Sequence, residues 1–318
     1  MKRFLAIIAV IIIVSLSFFT KNYYESLIQS KPTQALFLPH LKQELASIDS
    51  ISIQTAKGNC TVVKQDGWVD ESSHYPITLE SRRKLLLDLS TLTIVDKKTS
   101  SAGDHEKLGL LTNNTPPNNQ ASNAYGDQII LYSHGKPLYH LVIGYAQRNI
   151  KHVSGLNYFY IRHHDRQDAF LVKGEINIPS CKDDYFEPIN LNVTLDDIKT
   201  IDVKSNLVKI GHIDLTNKLT SNSDKTAFAS YEQTLSSIPV IAVWDSKPVI
   251  KTKTTAEYVS YTTTKQQIVA LALTDDGTHY WLTIDDARNP KLHQWFFEIS
   301  PPTRRQLVDS LYQLKTPL

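Results

Sequence analysis

The sequence predicts an α+β fold: two related antiparallel-sheet units, each covered by an amphipathic helix, behind one N-terminal transmembrane helix. Three observations carry that expectation. Apolar residues alternate with polar ones at Ile51 and Ile53, and strand-like runs bounded by turn residues recur in "QIILYSHGKPLYHLVIG", "NYFYIRHHDRQDAFLV" and "IVALALTDDGTHYWLTI". Two short amphipathic segments, "RRKLLLDLSTL" at 82–92 and "RRQLVDSLYQL" at 304–314, resemble each other closely. A charge-free apolar run from Phe4 to Thr20 opens the chain.

That run has the length of a short membrane span, and Lys2 and Arg3 before it predict a cytoplasmic N-terminus with the body on the far side. Tyr23 and Tyr24 stand where interfacial aromatics anchor a span. A cleaved signal peptide ending near Ser15-Leu-Ser17 is the alternative, although Phe18 and Phe19 carry the apolar run past that point. Either way the body is exported. The expected location is a bacterial inner membrane, crossed once through residues 4–20, with a periplasmic body.

A chain of 318 residues suits two ordinary domains. The expected division is an anchor and stem at 1–30, a first unit at 31–185 and a second at 186–318. Hydrophobic residues make up 41% and charged residues 21%, the balance of a folded globular body. Apart from Lys2 and Arg3, basic and acidic residues are equal in number and form no block, so nucleic acid is not an expected partner.

The elements follow in order. "IDSISI" and "CTVVKQ" read as strands, with "AKGN" and "QDGW" as turns. Leu85, Leu89 and Leu92, with Leu86 beside them, form a helical stripe after Thr78, the expected N-cap. In the late segment Leu307, Leu311 and Leu314 form the same stripe, and Thr303 with Gln306 has capping-box spacing. Pro301-Pro302 is expected to end the strand before it. "IKTIDV" at 198–203 compares with "IDSISI" at 48–53, and an indole precedes each helix, Trp68 and Trp295. We read two copies of a strand, strand, helix unit, the second enlarged by a long insertion, against chance recurrence of a common helix pattern. Hairpin turns are expected at His134-Gly135-Lys136, near Asp165 and at Asp275-Asp276-Gly277.

Chemistry-bearing residues are sparse. Cys60 and Cys181 either pair across a loop of about 120 residues in an oxidising compartment or stay as separate buried thiols. His163, His164 and Asp165, with His152 nearby in sequence, form the densest set of metal-ligand types. Adjacent strand residues face opposite ways, so a turn must redirect one of them before they could share an ion. Asp275-Asp276 and Asp285-Asp286 offer paired carboxylates, although turn acids in water are the commoner case. Tyr158, Tyr160 and Arg162 are candidates for an interface. No nucleophile elbow, phosphate-binding glycine loop or dinucleotide fingerprint occurs, and no cofactor is expected.

"IDSISIQ", "DGW", "YP" at 75–76, the helix after it, "KLGL" at 107–110, "LVIG" at 141–144 and "YFYIRHHDRQDAFLV" at 158–172 follow in an order that resembles the family called domain of unknown function 4340. The resemblance covers residues 36 to 180. It implies an exported bacterial domain behind a membrane anchor, in a family often associated with ABC-type export systems that resemble gliding-motility auxiliary components. The family has no established catalytic residues, so none is carried over. The loop after "KLGL" is longer and richer in Asn here than the family's pattern.

The expected function is therefore a membrane-tethered periplasmic binding or accessory module, not an enzyme, whose partner belongs to an ABC-type export or envelope assembly. Two alternatives stand beside it. One is an envelope hydrolase or metal-dependent enzyme centred on His163, His164 and Asp165. The other is a binder of sugar or lipid fragments on an aromatic sheet face, with Trp68 or Trp281 as its reporter.

Overall fold

The computed structural model describes residues 35–56, 58–112, 124–146, 157–182, 185–206, 208–215, 222–246 and 255–313. After a short helix α1 (Leu41–Glu44), the first unit runs β1 (Ile48–Thr55), β2 (Gly58–Lys64), β3 (Trp68–Asp70), α2 (Leu79–Thr91) and β4 (Thr93–Thr99). It continues through β5 (Asp127–Ser133), β6 (Lys136–Ala146), β7 (Asn157–His163) and β8 (Ala169–Gly174). The second unit runs β9 (Ile198–Ser205), β10 (Val208–Asp214), α3 (Asn222–Ser236), β11 (Ala242–Trp244) and β12 (Thr255–Thr263). β13 (Ile268–Asp275), β14 (Tyr280–Asp286), β15 (Phe296–Ile299) and α4 (Pro301–Gln313) complete it.

Two separate antiparallel sheets result. The first has the order β3-β2-β1-β5-β6-β7-β8-β4 and the second β10-β9-β12-β13-β14-β15-β11. The α+β expectation is overturned: the fold is mostly antiparallel β, fifteen strands against four short α-helices among the described residues. Amphipathic helices do not cover the two sheets. Leu85, Leu86 and Leu89 of α2 are buried, yet Leu79 and Leu87 stand exposed, so the helix plugs one flank of a larger core. That core is one continuous cluster filled by both sheets and by Tyr185, Phe186, Ile189, Leu191 and Val193 of the connecting segment. Alternating strands present more apolar surface than four short helices can hide. The segment 1–34 lies outside the described residues, and none of the described helices is long and apolar enough to cross a membrane.

The two units share one topology. Mapping β1, β2, α2 and β4–β8 onto β9, β10, α3 and β11–β15 turns one strand order into the other, save for β3, which has no counterpart among the described residues. Local detail agrees. Ile48, Ile51 and Ile53 are buried in β1 and Ile198, Ile201 and Val203 in β9. A 3-10 turn precedes each strand, Leu45–Ser47 and Leu195–Asp197. Each hairpin closes across two residues, Thr55 facing Gly58 and Ser205 facing Val208, and the pairing to the next central strand slips at Ile48/Ser50 and at the matching Thr200/Ile198.

The expected repeat therefore paired the wrong helices. α2 corresponds to α3, whereas 304–314 falls in α4, an addition after β15, and Leu314 lies outside the described residues. Trp68 sits on β3 and Trp295 just before β15, so the indoles are not equivalent. Among the described residues the second unit shows no long insertion. It is the first that holds the extra strand, between β2 and α2.

Helix starts also differ in detail. Thr78 is the N-cap residue of α2, but its hydroxyl donates to the Tyr185 carbonyl, 3.4 Å away. β15 ends at Ile299, just before Pro301-Pro302 as expected, and α4 begins at Pro301, with Ser300 Oγ accepting from the Thr303 N–H at 3.2 Å in place of the expected Thr303–Gln306 box. Proline suits a first-turn position because that N–H has no intrahelical partner. The hairpin at His134-Gly135 has φ of 53° and 70°, the left-handed pair that a two-residue turn needs and glycine supplies without strain.

Cys60 on β2 is bonded to Cys181 in the segment that leaves the first sheet, with Cα atoms 5.7 Å apart. Among the described residues there are no free cysteines. The closed loop is long enough that the chain-entropy model gives the bond about 4–5 kcal/mol.

Candidate functional site

The expected metal residues do not converge. On β7 and its turn, successive side chains take opposite faces. The His163 ring stacks on Phe37 at 5.0 Å, with Tyr139 at 6.5 Å, while His164 stacks on His140 at 3.9 Å and 5° on the other side. The turn does not redirect either imidazole, and Asp165 stays exposed in it. Among the described residues no three His, Cys, Asp or Glu side chains gather as a metal site, and His152 lies outside them. The two imidazoles are instead ring-packed on opposite faces.

Arg162 is likewise not an interface residue. It is 6% exposed, its Nε donates to the Leu110 carbonyl at 3.1 Å, and one amino group donates to the carbonyls of His163 at 3.1 Å and His164 at 2.7 Å. The guanidinium fork thus gathers the β7–β8 turn and pins the segment 102–112 against the outer face of the first sheet. Tyr160 packs beside Leu108 on a small apolar cluster of Leu110, Val142 and Ala169, separate from the main core. Tyr158 is half-buried. His140, on the same face, meets Gln128 Oε1 at 3.0 Å. Burial, then the neighbouring His164 and Arg162, pull its pKa down to about 4. Sequence reasoning passed over His140 as an ordinary strand residue. The available signal was a lone arginine inside the aromatic and aliphatic strand of Tyr158 to Ile161, the mark of a buried cation that needs acceptors.

The paired carboxylates belong to the fold. Asp276 accepts from Trp281 Nε1 at 2.9 Å and from the backbone N–H groups of His279 and Thr278, which together hold its pKa down to about 2. Asp286 is buried. Burial would raise its pKa, but the fork of Arg288, 2.7 Å away, outweighs that and lowers it. Arg288 also donates to the carbonyls of Leu191 and Asn192, tying the connecting segment to the second sheet. No open aromatic platform forms at the reporter tryptophans. Arg82 lies over the Trp68 ring at 4.6 Å, and Trp281 is buried against Trp244.

Where the two units meet, a cleft of about 370 Å³ opens, within the size range of small-ligand sites. Its walls come from four places: Thr78 before α2, Phe186 and Pro188 in the connecting segment, the stretch from Ser237 to Ile241 before β11, and Ser300 before α4. The backbone pairing of Ile77 with Phe186 and of Ile189 with Ile238 holds the connecting segment between the units. Trp295 fastens them nearby, its Nε1 donating to the Ser73 carbonyl at 2.8 Å and its ring meeting Tyr75 edge-on at 4.9 Å. Among the described residues the lining has three hydroxyls and an apolar remainder, with no acid, base, cysteine or tyrosine. Such a surface can bind a neutral or amphipathic group. Among the described lining residues no acid or base stands beside its hydroxyls. Comparison with protein-family models, with curated proteins and with solved structures finds no match for the chain.

Proposed function

We propose that this chain is a membrane-tethered, exported binding module that uses the cleft between its two units to hold a protein partner in an ABC-type export or envelope assembly. The cleft carries the reading, because it is formed by both units together and, among the described residues, has no acid or base in its lining. The uncharged run of residues 4–20 behind Lys2 and Arg3 supports the tether, and the Cys60–Cys181 bond supports an oxidising compartment. The resemblance over residues 36–180 points the same way. With no family model matching, the proposal stands on the tether, the disulfide and the cleft.

Ser237 is exposed on the cleft rim, so Ser237→Trp fills the cleft without burying anything new in the core. Full-length protein drawn from native membranes in mild detergent should bring transporter or envelope subunits with it in near-stoichiometric amount, identified by mass spectrometry. The variant should lose them at least tenfold, on the order expected when an anchoring contact is blocked, while its thermal unfolding stays unchanged. Equal recovery with both proteins would move binding away from the cleft. Recovery of neither would end the accessory-module reading.

A further inference from the structure

We infer that the stacked imidazoles of His140 and His164 form an acid-sensitive catch that holds the segment 102–112 closed over the outer face of the first sheet and releases it as pH falls. The inference is independent of what the cleft binds.

Geometry makes the catch. The two rings lie parallel at 3.9 Å, so a proton on each would place two like charges in van der Waals contact. The Arg162 guanidinium is beside them, its amino group 2.7 Å from the His164 carbonyl, and the His164 N–H donates to the His140 carbonyl at 2.8 Å. The groups facing the stack are Gln128 from β5, Arg162 from β7 and Asp165 from the turn. Against one resident cation there is one carboxylate nearby, Asp165, and it is exposed. The covering segment adds Asp104, His105, Glu106 and Lys107. Asp104 is already engaged by Thr99 and Lys107, and His105 Nε2 contacts the Gln167 carbonyl at 2.8 Å.

Arg162 of β7, on Leu110, and Gln167 of the adjoining turn, on His105, therefore hold the covering segment in two places. Leu108 and Leu110 of the cover rest on Val142, Ala169 and Tyr160, a small cluster cut off from the main core, and backbone bonds of Leu111 with Ala124 and Gly126 hold the far end. A segment resting on so little apolar surface opens at a lower free energy than the whole protein. Displacing the turn by charge in the stack loosens both grips together.

The sign follows from linkage. The folded pKa of His140, about 4, is below its ordinary 6.5, so the open form takes up more protons between those values. Closure is complete above pH 6.5 and is lost progressively as pH falls toward 4.

Hydrogen exchange of the full chain in detergent at pH 7.5 and 4.5, corrected for intrinsic rates, tests this. Protection of residues 102–112 should fall about tenfold or more, while that of β12 to β14 stays within about twofold. His140→Phe keeps a stacking ring and removes the proton site, so the local fall should disappear. Flat protection in the wild type, or an unchanged fall in the variant, would overturn the inference. If His140→Phe does not fold, the imidazole resonance of His140 in the wild type decides. A midpoint below pH 5.5 is expected, and one at 6.5 or above contradicts the catch.

Discussion

Arg162→Met should lower the stability of the protein by about 3–5 kcal/mol, among the largest losses open to a single polar side chain here. Methionine fits the hydrocarbon stem but provides no donor, so the carbonyls of Leu110, His163 and His164 lose the fork that now satisfies them. Burial lowers the Arg162 pKa, with Asp165 opposing, so the cation itself gains little from its site. The loss comes from the orphaned acceptors. Urea unfolding should show a lower midpoint at an unchanged slope. Arg162→Lys should fall between the two, because an ammonium keeps the charge but cannot span the same acceptors.

Trp295→Ala should cost a further class of stability, about 3–5 kcal/mol, through the bond between the units instead of the packing within one. The indole is buried, gives its N–H to Ser73 and stacks edge-on against Tyr75, a contact from the second unit into the first. Truncation leaves a cavity at that seam and a carbonyl without its donor. Trp295→Phe keeps most of the ring volume and should lose about 1 kcal/mol, the hydrogen bond alone. Thermal melts of the three proteins side by side give the comparison.

The strands were legible because a period of two is hard to mistake, and the turns at His134-Gly135 and Asp275-Asp276-Gly277 carry their own chemistry. The likeness of "IDSISI" to "IKTIDV" was also legible and is structurally correct, since both place branched aliphatic residues on one face of the same strand. The helices misled for a physical reason. A leucine stripe at helical spacing says only that one face is buried, so α2 and α4 look alike while occupying different places. α3, the true counterpart of α2, buries Phe228, Tyr231 and Leu235, and its stripe does not resemble three leucines. Fold class failed with the helices, because the sequence does not tell whether a sheet buries its apolar face under a helix or in a core shared with a second sheet.

Of the candidate site, the residues around Arg162 were visible but their roles were not. Arg162 is held by backbone carbonyls, which every residue possesses and no sequence pattern advertises. The His140–His164 stack needs two strands in register. The cleft joins Thr78, Phe186, Ser237 and Ser300, far apart in the chain and individually unremarkable. Only a duplicated pair of sheets locked at a seam brings them together.

That locking is the claim from which the cleft and its proposed use follow. Scanning calorimetry of the oxidised full chain measures it most directly. One transition, with calorimetric and van't Hoff enthalpies equal within about 10%, is the predicted result. Two resolved transitions, or a calorimetric enthalpy near twice the van't Hoff value, would show units that unfold separately and a cleft that is only their chance proximity.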